Sequence, residues 1–346
     1  MTETARNRVL VVGPSWVGDM VMAQALFKVL ASRPVRPEIS VLAPAWSLEL
    51  LDRMPEVDLA IESPFQHGDL KLWERYRFAR QYRHQFDEAI VLPNSFKSAL
   101  IPYMAGIPVR IGWRGEARGM LLTDCRRLRT GQLPLMVQRF VALGFPEDAG
   151  IPDSIPLPQL QCSQAQLDST VADLVTSGSG PILAICPGAE FGSAKQWPVN
   201  HFGSLAEKMI KQGWRVWILG SNRDAEAATA VLKSIPPPHS GHCFNLTGRT
   251  TLVQAADLLA TANAVVSNDS GLMHVAAAVD AAVVALFGPT SPDFTPPLGD
   301  RVKLLTTDIS CRPCFARECP LGHKRCLTEL HPDQVVNSLH QLVSKE

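Results

Sequence analysis

The sequence predicts an α/β protein built as two domains of parallel-sheet type, and three observations carry that prediction. Short apolar, β-branched runs recur along the chain and each ends in a loop rich in Gly, Pro, Ser or Asn. Helical patterns separate these runs, as crossover connections between parallel strands require. A proline-rich stretch, Pro152-Asp-Ser-Ile-Pro156-Leu-Pro158-Gln-Leu160, interrupts the series near the middle and bars helix there. The boundary falls in it: a first domain over 1–160 with a linker at 151–160, and a second over 161–330. A final helix follows from 331 to the end.

A chain of 346 residues with 46% hydrophobic content can fill two cores. Its formal net charge of zero carries no global signature of a nucleic-acid partner. No run approaches the ~18 uninterrupted apolar residues of a spanning helix. The polar start, 1–8, leads straight into a strand and shows no signal-peptide pattern. A cytosolic protein is expected, with its eight cysteines as reduced thiols.

The first strand, 9–12, ends in Gly13-Pro14-Ser15-Trp16-Val17-Gly18-Asp19, and a helix follows over 20–30. Neither G-x-G-x-x-G nor a Gly-Lys-Ser/Thr is present, so the glycines support no dinucleotide or P-loop chemistry. The loop does place one carboxylate, Asp19, at a helix start, above the strand edge where open α/β sheets hold ligands. Asp19 is a candidate general base; it could equally be an acid favouring the helix dipole. The same strand-loop pattern returns at 39–42 and at 89–92, the latter followed by Pro93-Asn94-Ser95-Phe96-Lys97-Ser98.

From Lys71 to Arg129 there are twelve Lys/Arg against five Asp/Glu. Trp73, Tyr76, Phe78 and Tyr82 lie among them, and Arg110, Trp113, Arg114 and Arg118 follow. Such a segment suits a phosphorylated partner, an anionic membrane surface or single-stranded RNA. A solvated helix with an aromatic stripe on the core accounts for 71–84 equally well.

After a helix expected over 163–176 and a Ser-Gly-Ser-Gly turn, Ile182–Cys186 opens the second series. Its loop, Pro187-Gly188-Ala189-Glu190-Phe191-Gly192-Ser193-Ala194-Lys195, offers Lys195 as a phosphate clamp assisted by the backbone N–H groups of the glycines. The next strand, 214–219, ends in Gly220-Ser221-Asn222-Arg223-Asp224, and an acid there can hold a ribose hydroxyl. The stretch 263–292 then forms a strand-turn-helix-strand unit. Asn268, Asp269 and Ser270 precede its helix, Gly271 leaves room for close approach, and the helix N-terminus favours an anion. His274 shares the Ser270 side by i,i+4 spacing; a buried, satisfied histidine is the plainer reading.

These segments together resemble the ADP-heptose:lipopolysaccharide heptosyltransferases, most of all the type II members of that family. The resemblance rests on 13–20, on 93–99, and on Gly112-Trp113-Arg114-Gly115-Glu116. It continues through Cys186-Pro187-Gly188-Ala189-Glu190-Phe191-Gly192 and Asn268-Asp269-Ser270-Gly271-Leu272-Met273-His274. Gly288-Pro289-Thr290-Ser291-Pro292-Asp293-Phe294-Thr295-Pro296-Pro297 completes it, so nearly the whole chain is covered. It implies a GT-B fold, two Rossmann-like domains facing across a cleft, with the final helix packing back toward the first. It implies inverting transfer of heptose from ADP-heptose to the first heptose of a heptosyl-Kdo-lipid A acceptor. It further implies a cytoplasmic monomer, peripheral at the inner face of the inner membrane, with no cofactor and no nucleic acid.

On that reading Asp19 and Lys195 are catalytic. Gly188, Ser193, Lys195, Ser221, Asp224, Asp269, Ser270, Gly271, Met273 and His274 take the donor. Asn94, Ser95, Lys97, Arg110, Trp113 and Arg114 take the acceptor. No Asp-x-Asp occurs, so no metal is assigned to the chemistry. Cys311-x2-Cys314-x4-Cys319-x6-Cys326, with His323 inside, departs from the family pattern; it suits a tetrahedral zinc site or a loop of reduced thiols, structural in either case. An epimerase or dehydrogenase lacks its fingerprint here. A non-catalytic nucleotide-sugar module would not need Asp19, and an RNA-binding protein would leave the phosphate loops unexplained.

Overall fold

In the computed structural model the described residues are 7–66, 68–175 and 178–344. The polar start before residue 7, and Thr176 and Ser177 at the end of the helix expected over 163–176, lie outside them. The chain divides into two compact units, Met1–Pro158 and Gln159–Glu346, with the division inside the proline-rich stretch.

The first unit holds six strands: β1 (Arg8–Val12), β2 (Glu38–Ala43), β3 (Leu59–Glu62), β4 (Glu88–Val91), β5 (Val109–Trp113) and β6 (Asp124–Arg126). They form one sheet in the order β3-β2-β1-β4-β5-β6, and its pairings are all parallel. A parallel sheet covered by helices is buried on both faces, so its strands read as unbroken apolar runs; Val9 to Val12 and Ala89 to Val91 are all buried. The helix Val17–Ala31 starts three residues earlier than the sequence suggests, which puts Asp19 in its first turn.

The second unit repeats the plan with β7 (Ile182–Cys186), β8 (Arg215–Ile218), β9 (Cys243–Asn245), β10 (Ala264–Asn268), β11 (Val283–Leu286) and β12 (Val302–Leu305). The order is β12-β11-β10-β7-β8-β9, again parallel. The helix Gln164–Leu174 opens on Ser163, whose hydroxyl accepts from the Gln166 amide while the Gln166 side chain returns to the Ser163 amide, a capping box.

The final helix, Pro332–Val343, places Val335, Val336 and Leu339 in the core of the second unit with Phe202, Leu205 and Met209. Lys208 to Asp333 at 2.8 Å fastens it to the helix Val199–Ile210, and the Gln212–His340 contact at 2.8 Å to the turn that follows that helix. An apolar stripe at helical spacing is satisfied by the nearest unfilled sheet face, and here that face belongs to its own unit. None of the described helices is long and apolar enough to cross a membrane.

In each sheet the strand order reverses direction beside the first strand of its series: between β1 and β4, and between β7 and β10. The loops leaving the carboxyl ends there splay apart and leave a crevice, the usual ligand position in open α/β sheets. Asp19 follows β1 and Asn94 to Lys97 follow β4; Lys195 follows β7 and Asp269 follows β10.

Candidate active site

In the first unit the crevice is a cavity of about 360 Å³. Its lining includes Asp19, Asn94, Ser95 and Lys97, together with Trp16, Phe65 and Arg75. Four of the expected residues are therefore brought together, from two strand ends paired in register at Val12 and Val91.

The other members of the basic segment are used differently. Arg118 is fully buried, and its guanidinium donates to the carbonyls of Trp113 and Pro93, to Ser98 Oγ at 3.1 Å and to Asn94 Oδ1 at 3.2 Å. It holds the 93–98 loop in shape from beneath instead of reaching an acceptor. Burial lowers its pKa. Arg110 donates through Nε to the Leu121 carbonyl at 2.7 Å and through Nη1 to the Ile107 carbonyl. Trp113 is buried, its indole N–H bonded to the Arg139 carbonyl at 3.0 Å. Arg110, Trp113 and Arg118 are thus framework, because a guanidinium or indole that meets a ring of loop carbonyls spends its donors there. Arg114 alone of that group is exposed.

Arg75, one charge of the basic segment in the sequence, is buried, lies 4.1 Å over the Phe65 ring and donates to the Leu70, Asp69 and Lys97 carbonyls. It joins the 65–70 loop to the 93–98 loop around the cavity. In the helix Leu72–Arg80, Phe78 packs with Phe65 and Tyr82 on the core, whereas Trp73 is 69% exposed and stacked on Tyr76 at 5.6 Å.

In the second unit the crevice gathers Lys195, Asp269, Thr290 and His274. Lys195 Nζ stands 2.6 Å from Asp269 Oδ2, both largely buried, and Thr290 Oγ1 donates to the same oxygen at 2.5 Å. Asn268 joins the β10 end to the β7 loop: its amide donates to the Pro187 carbonyl at 2.7 Å and its oxygen accepts from the Trp197 amide at 3.1 Å. The helix Gly271–Ala278 begins at Ser270, whose side chain makes no capping bond, so the first-turn amides keep their outward direction. His274 is buried and its Nδ1 has no hydrogen-bond partner among the described residues. Burial pushes its pKa down to about 4; nearby Lys195 adds to that and Asp269 opposes it. The ring is neutral at pH 7.

The chain is similar to known proteins along nearly its whole length. The family model of glycosyltransferase family 9 (heptosyltransferase) matches residues 75–325. Lipopolysaccharide heptosyltransferase 2 of Salmonella typhimurium is 45% identical over 347 aligned residues, covering 98% of this chain and 99% of that protein. The chain belongs to glycosyltransferase family 9, the heptosyltransferase family. Lipooligosaccharide heptosyltransferase 2 of Haemophilus ducreyi is 43% identical, with 97% of this chain and 99% of that one covered. The solved structure of E. coli ADP-heptose lps heptosyltransferase II superposes with a TM-score of 0.89 at 42% identity, covering 98% and 99% of the two chains. The two six-stranded parallel sheets are therefore those of the heptosyltransferase GT-B fold, and the chain is a glycosyltransferase.

Against that family frame, the remaining expected donor residues divide. Ser221 and Asp224 close on each other, with Asp224 Oδ2 accepting the Ser221 amide at 2.8 Å and its hydroxyl at 2.9 Å. Gly188 is required beside them, since a Cβ there collides with the Asp224 carboxyl. Ser193 is exposed at the tip of the Lys195 loop. Met273 is fully buried, its side chain packed into the core. Thr290 and Asn268 also bond within this cluster, and neither was among the expected donor residues. Their signal lay in Gly288-Pro289-Thr290 closing β11 and in Asn268 ending β10, beside the β7 loop. Glu190, the other carboxylate near the loop, is paired with Arg223 at 2.5 Å.

Proposed function

We propose that this enzyme moves L-glycero-D-manno-heptose from ADP-heptose onto the first heptose of a heptosyl-Kdo-lipid A acceptor, with inversion and without a catalytic metal. The observation that carries the acceptor assignment is its near-complete coverage of relatives named heptosyltransferase 2, at 43–45% identity. On this reading Asp19 removes the proton from the acceptor hydroxyl. That oxygen then bonds to the anomeric carbon as the bond from that carbon to the diphosphate breaks, and ADP departs. Lys195 and the amides at Asp269 to Gly271 take up the charge that grows on the leaving phosphate oxygens. Ser221 and Asp224 lie on the nucleoside side of the same crevice, and His274 supports the Lys195–Asp269 pair as a neutral ring. Asn94, Ser95, Lys97 and Arg114 take the phosphorylated inner core.

The decisive experiment measures ADP release with lipid A-core acceptors carrying no, one or two heptoses. Turnover restricted to the mono-heptosylated acceptor supports the assignment; preference for the heptose-free acceptor overturns it in favour of a sister activity. A peripheral position at an anionic membrane face is part of the proposal. Its support is the cluster of exposed Leu70, Leu72 and Trp73 beside exposed Lys71, Arg77 and Arg80. Co-sedimentation with anionic vesicles, lost in Trp73→Ala, tests it, and light scattering tests the expected monomer.

A further inference from the structure

The segment between β12 and the short helix Arg325–Thr328 has no regular secondary structure over 306–324, and none of those residues is buried. Phe315 and Leu321, which could anchor it, are 49% and 62% exposed. A structureless connection of that length with no core of its own needs another source of order.

The chemistry that could supply it is concentrated in one place. Cys311, Cys314, Cys319 and Cys326 all line a single small cavity of about 20 Å³, with His323, Arg312 and Lys324 around them. That volume is about one water-sized sphere, the scale of a single ion and not of an organic ligand. The Cys319 sulfur accepts the Lys324 amide at 3.4 Å, and the amides of Leu321, Gly322 and His323 also donate toward it. Backbone amides closing on a cysteine sulfur are the kind of surrounding contact that orients a metal-bound thiolate. Cys326 also lines the cavity, buried in the first turn of its helix.

We propose that Cys311, Cys314, Cys319 and Cys326 form a tetrathiolate site for one structural transition-metal ion, zinc or iron. Soft sulfur donors in a four-coordinate shell select those ions over calcium or magnesium. On binding, the thiols release their protons to solvent. Among the described residues no three potential ligands already stand as a coordination shell, so loading the site requires the four sulfurs to close in toward bonds of about 2.3 Å for zinc. A divalent ion with four thiolates carries two excess negative charges, and Arg312 and Lys324 on the cavity wall offset them.

The site also acts on the active-site loops, a consequence that rests on the role proposed above for Lys195. The Arg317 carbonyl accepts the Ala194 amide at 3.0 Å, and Lys324 Nζ donates to the Ser193 carbonyl at 3.1 Å. Arg317 and Lys195 face one ring, Phe191, at 5.3 and 4.8 Å. Arg312 donates to the Gly288 carbonyl at 3.0 Å and to the Thr290 carbonyl at 3.2 Å. Gly192 admits this packing because a Cβ there would strike the Arg317 carbonyl. The cysteine loop therefore braces both flanks of the Lys195–Asp269–Thr290 cluster, and the ion sets their spacing from behind.

The test starts with the full chain purified under reductant without added metal or chelator. Elemental analysis is expected to find one zinc or iron per chain, and the visible spectrum separates coloured iron from colourless zinc. Release by a mercurial thiol reagent should free one metal as the four cluster thiols react. Cys314→Ser and Cys319→Ser should lose the metal, whereas Cys125→Ser, outside the cluster, should retain it. If the cluster variants fail to fold, chelation of the wild-type chain provides the second measurement: cleavage by protease within 306–324 should begin only after the metal is removed. A metal-free wild-type chain that neither zinc nor ferrous iron loads refutes the site, as does full retention of metal by Cys314→Ser/Cys319→Ser. Neither readout depends on heptosyl transfer, so failure of the site and failure of the proposed activity are distinguishable.

Discussion

Replacing Lys195 by Met keeps the length and apolar stem of the side chain and deletes its charge. Asp269 is then left 5% exposed with only the Thr290 hydroxyl against it. Removing one partner of a buried ion pair typically costs 3–5 kcal/mol, because the survivor remains uncompensated. The retained Thr290 bond places this case at the low end, about 3 kcal/mol. For a domain the size of the second unit, each kcal/mol moves the melting temperature by about 2–4 °C, so a fall of about 6–12 °C is expected. Lys195→Met/Asp269→Asn removes both charges while Asn still bonds Thr290, and the double variant should recover to within about 1 kcal/mol of wild type. Turnover should not recover with it. A preorganised donor to developing negative charge is worth about 10²–10³ in rate, and both variants lack that donor. The assay pairs differential scanning calorimetry with ADP release at saturating donor. Recovery of turnover alongside stability in the double variant would refute a leaving-group role and make the pair purely structural.

Three further outcomes follow from the same geometry. Asp19→Asn keeps a hydrogen-bonding side chain but cannot take a proton, so ADP formation should fall about 10²–10⁴-fold with donor affinity and melting temperature near wild type; a rate close to wild type removes Asp19 from the chemistry. His274 has its folded pKa lowered from 6.5 to about 4, so the unfolded chain binds the proton first and this contribution to stability is lost as pH falls between those values. Between pH 7 and 5 the loss is about 2 kcal/mol, visible as a steeper fall in melting temperature for wild type than for His274→Gln; parallel curves refute it. Arg118→Met should cost about 3 kcal/mol or more by orphaning the 93–98 loop carbonyls, whereas Lys97→Ala should raise the acceptor KM and leave the melting temperature alone; the reverse pattern would exchange their roles.

The central strands were legible because β1, β4, β7 and β11 are buried along almost their whole length and so appear as apolar runs that lead into Gly or Pro, whereas the partly exposed edge strands β3 and β12 leave no such run. Reactive side chains at those ends could be assigned to a ligand edge without coordinates, and Asp19, Asn94, Ser95 and Lys97 do share one cavity. What the sequence concealed is how donors are spent. Arg110, Arg118 and Trp113 have the composition of an anion site, yet their N–H groups meet loop carbonyls. Only the third dimension shows which acceptor arrives first. Met273 shows a different limit: the helix Gly271–Ala278 is apolar almost all round, so no polar stripe marks which residues face the crevice and which pack the core. The Lys195–Asp269 pair depends on the β7–β10 register, Cys186 opposite Ser267, which no local pattern encodes.

On the proposed mechanism, that pair explains how a largely buried lysine can be held charged before the donor phosphate arrives. A lone ammonium there would be expensive to bury, and Asp269 supplies its counter-charge in the resting enzyme. The ammonium has three N–H donors and Asp269 Oδ2 occupies one direction, which on the proposed mechanism leaves others for phosphate oxygens. His274 stays neutral and adds no competing cation, and Ser270 leaves the helix amides uncapped by its side chain. On the proposed mechanism the resting cluster is close to neutral and is poised for charge that appears only as the bond to the diphosphate lengthens. Binding the intact donor then gains less from Lys195 than its departure does, which is why the Lys195 variants should lose turnover before they lose donor affinity.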